Sequence, residues 1–434
     1  MIDIGTVAIG FAVMLGLLLL GLPVAAVMAI TGVIGGALLY GMPLVTSMGS
    51  VVWGVLNDNV MTAIPLFILL GEILLRSGIA DRMYGTLMLW LGRLPGGLLY
   101  SNIGASAMFS ATSGSSVATA ATVATVSLPA LTDRGYPVRR SLGSLAAGGT
   151  LGILIPPSVN LLIYGSLAGE SVARLFVAGV IPGILLTLLF SLWILIEAKI
   201  WPAGETKMAP TSWSEKIASL KNLFGPALIF LVITGSIYSG FATPTESAAL
   251  GVISALALAA AHGQLSLDFL GRCFMNTART SGMILLIVVG AFMLNVTLSL
   301  GGVAQAATAW VSSLGLSTTG LLIAFIVFYI VLGMFMDVLS MMVLTIPVAL
   351  PIVIAAGVDP IWFGIFIILM CELGLITPPV GMNLYVVHSV RSDKGPFRDV
   401  ALGALPYVGV MIGFVLLLIA FPAIVTWLPG QMHN

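Results

Sequence analysis

The sequence predicts an all-α polytopic membrane protein with two inverted-topology repeats and two discontinuous helices. Three observations lead to this fold class: an apolar composition, a helix-breaking phrase that occurs twice, and an uneven distribution of basic residues. Of the 434 residues, 59% are hydrophobic and 7% are charged. A soluble protein carries roughly 25% charged residues, so too few charges remain here to cover a water-facing surface. The composition therefore indicates a chain that crosses the bilayer several times.

Membrane crossings are expected wherever about 20 mostly apolar residues follow one another. The predicted crossings are 4–20, 22–40, 61–76, 140–165 and 171–198, and then 223–239, 244–262, 281–300, 360–388 and 400–428. Two longer apolar double segments, 95–132 and 317–357, are interrupted in the middle by small or polar residues.

The polar run 199–222 is rich in charge and proline. It predicts a cytoplasmic linker between a first repeat, residues 1–198, and a second repeat, residues 223–434. The two cysteines, Cys273 and Cys371, lie in separate apolar segments and are expected to be buried thiols without a disulfide.

Two similar phrases support the repeat. GILIPPSVN begins at Gly152, and GLITPPVGMN begins at Gly374. Pro129 and Pro351 are separated by the same interval as these two glycines. The shared spacing predicts that the two halves of the chain are copies of one structural unit, with broken helices at 140–165 and 360–388.

Basic residues indicate how each half faces, because cytoplasmic loops collect Lys and Arg. Six arginines flank the double segment 95–132, whereas the flanks of 317–357 hold no basic residue and only Asp359. The first double segment is therefore predicted to begin and end in the cytoplasm, and the second outside. Each half has five full crossings, an odd number, so the second half enters inverted and both termini lie outside.

Each proline pair is expected to break its helix at membrane depth. Proline lacks an N–H and clashes with the carbonyl four residues earlier, so carbonyls become free at 152–155 and 374–377. Lipid cannot satisfy them, and converging oxygens suit a small cation such as Na⁺. A plain kink is the alternative for one such phrase, but two related copies favour an ion site. Inverted repeats with interrupted helices are typical of secondary transporters.

Four stretches resemble the large membrane subunit of tripartite ATP-independent periplasmic (TRAP) transporters. They are IPLFILLGEILLRSGIADRMY from Ile64, SATSGSSVATAATV from Ser110, GFATPTESAALGV from Gly240 and LGLITPPVGMNLYVV from Leu373. The similarity extends over nearly the whole chain, and the ATPTE and TPPVG segments are its most specific parts.

The resemblance implies an elevator-type transporter in a bacterial inner membrane. A fixed scaffold would hold a moving transport domain that carries two re-entrant hairpins, here 95–132 and 317–357. The resemblance also implies two partners, a small four-helix membrane subunit on a separate chain and a periplasmic substrate-binding protein. Import of a small organic acid, such as a dicarboxylate, would be coupled to Na⁺ entry. Two short amphipathic stretches, 79–93 and 303–314, are candidate arms along the membrane surface or simple anchors.

The resemblance also assigns two Na⁺ sites to residues of this chain. The first set is Ser110, Ser113, Gly152, Ile155 and Pro157, the last three through carbonyls. The second set is Gly333, Gly374, Thr377 and Val380. Small residues in apolar surroundings are also close-packing helix contacts, which is the structural alternative for the first hairpin tip.

Polar residues near the same places are candidates for substrate binding: Thr112, Ser116, Asn160, Asp337, Ser340 and Asn383. A carboxylate at membrane depth costs about 2.5–3.5 kcal/mol, so Asp337 is expected to have a cation or donors nearby. The alternative is that it only caps the helix from Val338 onward. The asparagine amides are expected to bond freed backbone or to reach the substrate.

Three glutamates also occur in or beside apolar runs. Glu246 is predicted to be the third residue of a helix that Thr243 caps. Glu72 lies in one apolar run. Glu372 lies in another, where it either orients the break at Gly374 or pairs with an arginine.

Other function classes are disfavoured. The chain has neither an HExxH motif nor a P-loop, so an intramembrane metalloprotease and direct ATP drive are not expected. No organic cofactor is expected, and zero net charge gives no indication of nucleic acid. A channel would not need two paired breaks. The nearest alternative is an elevator-type anion or dicarboxylate carrier that works without a binding protein.

Overall fold

The computed structural model describes residues 4–202 and 211–432, so part of the predicted linker, residues 203–210, lies outside the described chain. The described residues are helical with short connections. The helices are α1 Ile4–Leu19, α2 Val24–Tyr40, α3 Met42–Leu56, α4 Asn59–Arg76, α5 Ile79–Leu91, α6 Leu98–Ser113, α7 Ser116–Asp133, α8 Val138–Gly149, α9 Leu151–Leu154, α10 Val159–Ala168, α11 Val172–Ile200, α12 Trp213–Ser219, α13 Lys221–Tyr238, α14 Pro244–Ala261, α15 Leu267–Leu300, α16 Val303–Ser313, α17 Thr318–Gly333, α18 Val338–Ala355, α19 Pro360–Leu375, α20 Met382–Val390, α21 Phe397–Ala420 and α22 Ala423–Thr426, with a 3-10 helix at Pro429–Gln431.

Seven helices of the described chain are long and apolar enough to cross a membrane, or nine spans if each of two bent helix pairs counts as one. One bent pair joins α8–α9 to α10 at 44°, and the other joins α16 to α17 at 118°. Large apolar side chains such as Leu188, Leu231 and Leu286 are exposed on the outer faces of α11, α13 and α15. Such surfaces suit a hydrocarbon solvent, so the expectation of an all-α, multi-pass membrane protein is confirmed.

Two predicted helix boundaries are wrong. The crossing predicted at 281–300 begins earlier, because α15 starts at Leu267 and the side chain of Ser266 caps it at Phe269 N. Its first turns carry polar residues, which a search for apolar runs excludes. The crossing predicted at 400–428 ends at Ala420, because Pro422 disfavours helical backbone at the residue before it.

The short apolar helix α3 was not among the predicted crossings. It spans 15 residues, from Met42 to Leu56, and packs with α2 against the long helix α15. It is shorter than the run of about 20 residues that predicts a crossing. The amphipathic stretches predicted at 79–93 and 303–314 are helices α5 and α16, which pack against α6 and α18.

Both double segments are pairs of helices. In the first, α6 and α7 are joined by Gly114 and Ser115, and Gly114 has a positive φ of 60°. In the second, α17 and α18 are joined by residues 334–337, and Asp337 caps α18. We call residues 113–116 the first turn and residues 334–339 the second turn, so that each includes helix residues beside the connection. That the two pairs re-enter from opposite sides of the membrane stays a prediction.

Both proline pairs interrupt helices, and both hold a cis bond, Pro156–Pro157 and Pro378–Pro379. The first interruption separates α9 from α10, where Ser158 caps the new helix through Leu161 N. The second separates α19 from α20. We call residues 155–158 the first break and residues 376–381 the second break.

Candidate functional site

A cavity of about 410 Å³ lies where the two turns and the first break come together. Its lining includes Ser113–Ser116 of the first turn, Ile153 and Asn160 on either side of the first break, and Asp337–Leu339 of the second turn. Helices α4 and α15 close the remaining wall, through residues such as Glu72 and Thr280. Segments from both halves of the chain thus surround one space.

The first turn packs tightly against the first broken helix. A Cβ atom added at Gly152 would lie 2.6 Å from Ser116 Cα, and one added at Gly114 would lie 3.0 Å from the Pro157 carbonyl oxygen. Only glycine permits the first of these approaches without a shift of backbone. The candidate ligands Ser113, Gly152 and Pro157 are therefore brought into one neighbourhood.

The serine hydroxyls of the first set already make local contacts. Ser113 Oγ lies 2.9 Å from Thr119 Oγ1, and Ser110 Oγ donates to the Ser106 carbonyl. A hydroxyl that donates one hydrogen bond keeps lone pairs that can face a cation. Ile155 adopts extended backbone after α9, with ψ of 121°. These residues can offer oxygens to a small hard cation.

The second candidate set is only partly assembled around the second break. Gly333 and Gly374 touch through their backbones, since a Cβ added at Gly333 would lie 2.5 Å from Gly374 Cα. Thr377 is buried and its hydroxyl donates to the Leu373 carbonyl at 2.7 Å. Val380 is 36% exposed. These four residues do not line the cavity, which Leu375 and Met382 reach from the same region.

Three of the six substrate candidates line the cavity, namely Ser116, Asn160 and Asp337. Ser340 is buried and donates its hydroxyl to Asp337 Oδ1. Asn383 is buried between helices, and its Nδ2 donates to the Ala146 carbonyl at 3.4 Å. This hydrogen bond to a backbone carbonyl is the structural role that the sequence indicated as one alternative for the amide of Asn383. Thr112 belongs to α6, but its side chain lies outside the described part of the structure.

Asp337 caps α18, which is the structural role predicted for it as the alternative to cation binding. Its Oδ2 accepts from Leu339 N at 3.1 Å and from Ser340 N at 3.3 Å. These donors and the Ser340 hydroxyl stabilise the carboxylate without a cation. Because Asp337 also lines the cavity, capping and a role in the site are compatible.

The capping box predicted at the start of α14 is confirmed. Thr243 Oγ1 accepts from Glu246 N, and Glu246 Oε2 accepts from Thr243 N at 2.8 Å. Glu246 is exposed and does not line the cavity. The two cysteines are free and buried, which confirms the expectation that they form no disulfide.

Sequence reasoning did not identify Glu72 as a residue of the cavity. Glu72 Oε2 accepts from Arg76 Nε at 2.9 Å and from Asn276 Nδ2 at 3.2 Å. The four-residue spacing of Glu72 and Arg76 on one helix was the available signal.

Glu372 does not pair with an arginine, so that alternative is wrong. Its carboxylate is 0% exposed, and Oε1 accepts the hydroxyl of Ser116 in the first turn. Within the described part of the chain, the cavity lining has two carboxylates, Glu72 and Asp337, and no basic side chain.

A separate charge cluster holds the end of α20 against α21 and α8. Arg391 donates to Asp393 and to Asp399, and Arg139 donates to Asp399 at 3.1 Å. The hydrogen bond from Arg391 holds the pKa of Asp393 below its usual range, and the same bond raises the pKa of Arg391. This cluster lies outside the cavity lining and positions helices.

The described residues contain no group of three or more His, Cys, Asp or Glu side chains placed to hold a metal ion. Cation binding by this region would therefore depend on carbonyls, hydroxyls and single carboxylates. Such oxygen ligands suit an alkali or alkaline-earth cation rather than a transition metal.

Comparison with known proteins gives a consistent result. The model of the family described as tripartite ATP-independent periplasmic transporter, DctM component, matches residues 11–424. The C4-dicarboxylate TRAP transporter large permease protein DctM of Pseudomonas aeruginosa is 33% identical over 86% of each chain. The ectoine TRAP transporter large permease protein TeaC of Halomonas elongata is 30% identical, over 96% of this chain and 97% of that protein.

A solved structure shares the fold. The YdaH transporter of Alcanivorax borkumensis superimposes with a TM-score of 0.65 at 15% identity, over 97% of this chain and 98% of that one.

Proposed function

The chain belongs to the family of the DctM component of tripartite ATP-independent periplasmic transporters, and we propose that it imports a small organic acid on a Na⁺ gradient. As a large permease subunit it is a multi-pass inner-membrane transport protein and not an enzyme. A periplasmic binding protein would deliver the substrate, and a small four-helix membrane subunit on a separate chain would complete the membrane part.

The cavity between the two turns and the first break is the observation that carries this proposal. It is about 410 Å³ in volume, which falls within the range of small-molecule sites. Non-helical backbone at membrane depth is tolerated where it lines a cavity or lies buried in protein. Secondary transporters place such interrupted helices at their substrate and ion sites.

The proposed Na⁺ sites are the two candidate ligand sets. The first would use Ser110, Ser113 and the carbonyls of the first break, where Gly152 and Gly114 permit the close approach. The second would use Gly333 and Gly374, which touch, together with Thr377 and Val380. Ions at these places would fix the two turns against the two broken helices and so shape the cavity for substrate.

The proposed substrate is a small organic acid. The first turn presents the N-terminus of α7 at Ser116 to the cavity, and backbone N–H groups at such a position favour an anion. The names of the relatives, which specify C4-dicarboxylate and ectoine, support a small organic solute. Asn160 would add a neutral donor and acceptor.

Movement of the hairpins and broken helices against a scaffold is the proposed mechanism. Helices α5 and α16 run beside the two helix pairs and would serve as arms between the moving and fixed parts. In the described chain, α5 is tied to α12 after the linker, since Trp90 Nε1 donates to the Lys216 carbonyl at 3.2 Å.

Reconstituted uptake tests the proposal. The chain and its small subunit are placed in proteoliposomes, binding protein is added outside, and a panel of labelled organic acids is presented with an inward Na⁺ or K⁺ gradient. We expect accumulation of at least one acid only with both Na⁺ and binding protein. Equal rates with K⁺ would overturn the Na⁺ coupling. Undiminished uptake without binding protein would support the carrier that works alone.

A further inference from the structure

The carboxyl group of Glu372 is the feature that the proposed sites leave unused. It lies on α19, two residues before Gly374, and is completely buried. Oε1 accepts the Ser116 hydroxyl, and the backbone N–H of Ile153 also faces the carboxylate. Within the described chain, Oε2 has no hydrogen-bond partner. The second broken helix thus inserts an acidic group between the first turn and the first broken helix.

The other two carboxylates near the cavity are already compensated. Glu72 accepts hydrogen bonds from Arg76 and Asn276. Asp337 accepts hydrogen bonds from the Ser340 hydroxyl and from the N-terminus of α18. A buried carboxylate with a free oxygen is costly unless a positive charge or further donors accompany it. Of these three carboxylates, Glu372 is therefore the one that has a buried oxygen without a hydrogen-bond partner in the described chain.

The two residues that contact Glu372, Ser116 and Ile153, lie within three residues of proposed ligands of the first Na⁺ site. Ser116 lies three residues beyond Ser113, and Ile153 follows Gly152. The backbone of Gly152 lies so near Ser116 that an added Cβ would come within 2.6 Å of Ser116 Cα. Hydroxyls and carbonyls are neutral, so a cation held by them alone in a low-dielectric interior would be uncompensated.

We propose that Glu372 supplies the negative charge of the cation site between the first turn and the first broken helix, with Oε2 directed at Na⁺. This inference rests on the proposed function and goes beyond it, because it adds a charged ligand contributed by the second half of the chain. The corresponding position in the first half, at the interval that separates Gly152 from Gly374, is Thr150. It is a neutral residue whose hydroxyl donates to the Ala147 carbonyl. The two Na⁺ sites therefore differ in charge and are expected to differ in affinity.

Sodium-dependent thermal stability of the purified complex provides the test. Unfolding midpoints are measured across a NaCl series balanced with KCl, for the wild type, Glu372→Gln and the control Glu246→Gln. Glutamine keeps an acceptor for Ser116 but removes the charge. We expect the half-saturating Na⁺ concentration of Glu372→Gln to rise about tenfold or more, the size expected when a buried charge contact is lost. Glu246→Gln should match the wild type.

The outcomes separate this inference from the proposed function. Wild-type protein that is stabilised equally by Na⁺ and K⁺ would remove the proposed Na⁺ coupling. Wild-type protein that responds to Na⁺, with Glu372→Gln responding identically, would overturn only the role of Glu372. If Glu372→Gln does not fold, Glu372→Asp is measured. It keeps the charge but displaces it, so a half-saturating Na⁺ concentration within twofold of wild type would equally overturn the inference.

Discussion

The first turn and the second turn differ in chemistry although they occupy matching places in the sequence. The first is a run of hydroxyls around Gly114, and its neighbouring helix α7 is capped by Ser115. The second has a carboxylate, Asp337, in the capping position of α18. The first turn is therefore neutral and adaptable in its hydrogen bonding, whereas the second brings a fixed charge to the cavity wall.

The two broken helices differ in the same sense, because only the second carries an acidic residue. The first broken helix faces the cavity with neutral residues such as Ile153 and Asn160, and α9 carries no charge. The helix before the second break carries Glu372, which reaches across to the first turn. Both carboxylates, Asp337 and Glu372, thus belong to the second half of the chain. The predicted repeat therefore places unequal charge at matching positions of the sequence.

Labelling of single cysteines gives an all-or-none test of the repeat behind this comparison. Ser212→Cys and Ser392→Cys should react only with reagents applied from the cytoplasm, because basic residues cluster near both. Ser313→Cys, at the exposed end of α16, should react only from outside. Impermeant maleimide added to oriented vesicles is the measurement. Labelling of all three positions from one side would end the inverted-repeat interpretation.

Substitution of the contact glycines should have the next largest effect. Gly152→Ala and Gly374→Ala would each place a Cβ within 2.7 Å of backbone in a neighbouring segment, so the turn and the broken helix must separate. We expect a loss of about 1–3 kcal/mol in stability and of most uptake for both. Gly235→Ala in α13 is the matched control, since its Cβ would meet nothing within 4 Å.

Uptake and unfolding midpoints of the three alanine variants measure this effect. Similar losses of uptake and stability in Gly152→Ala and Gly374→Ala would show that the close backbone contacts of both broken helices are needed. Normal transport by Gly152→Ala would show that the close contact of the first turn is dispensable.

The charge of the second turn is tested by Asp337→Asn. Asparagine is as good a helix cap as aspartate, so the variant should fold and reach the membrane. We expect it to lose most Na⁺-driven uptake, because the cavity wall loses a fixed charge. Glu246→Gln keeps its capping geometry and should retain more activity. The reverse order of activities would place the important carboxylate at the start of α14 instead.

The smallest effects are expected from single hydroxyl ligands. Ser113→Ala and Thr377→Ala should each raise the Na⁺ concentration for half-maximal uptake by a few-fold, roughly the value of one hydrogen-bond-sized contact. The increase should be larger for Ser113→Ala, since Ser113 lines the cavity and Thr377 does not. Unchanged Na⁺ dependence in both variants, at normal expression, would reject these ligands.

Local signals in the sequence predicted local structure well. The proline pairs marked the two breaks, because proline removes a donor wherever it stands. The Thr243–Glu246 capping box formed as expected, because all its partners lie within four residues. The apolar search failed at the start of α15, where the helix continues beyond the apolar run, and at α3, which is too short to satisfy the length criterion.

The sequence by itself determined the membrane class, most helices and the places where two of them break, since hydropathy, capping and proline act through neighbours in the chain. Only the tertiary structure decided which charges have partners far along the chain. Glu72 found Arg76 on its own helix, whereas Glu372 met Ser116 across 256 residues. No periodicity encodes that contact, because it depends on how closely glycine-containing helices pack. The cavity and the unequal charge of its two sides arise from that packing.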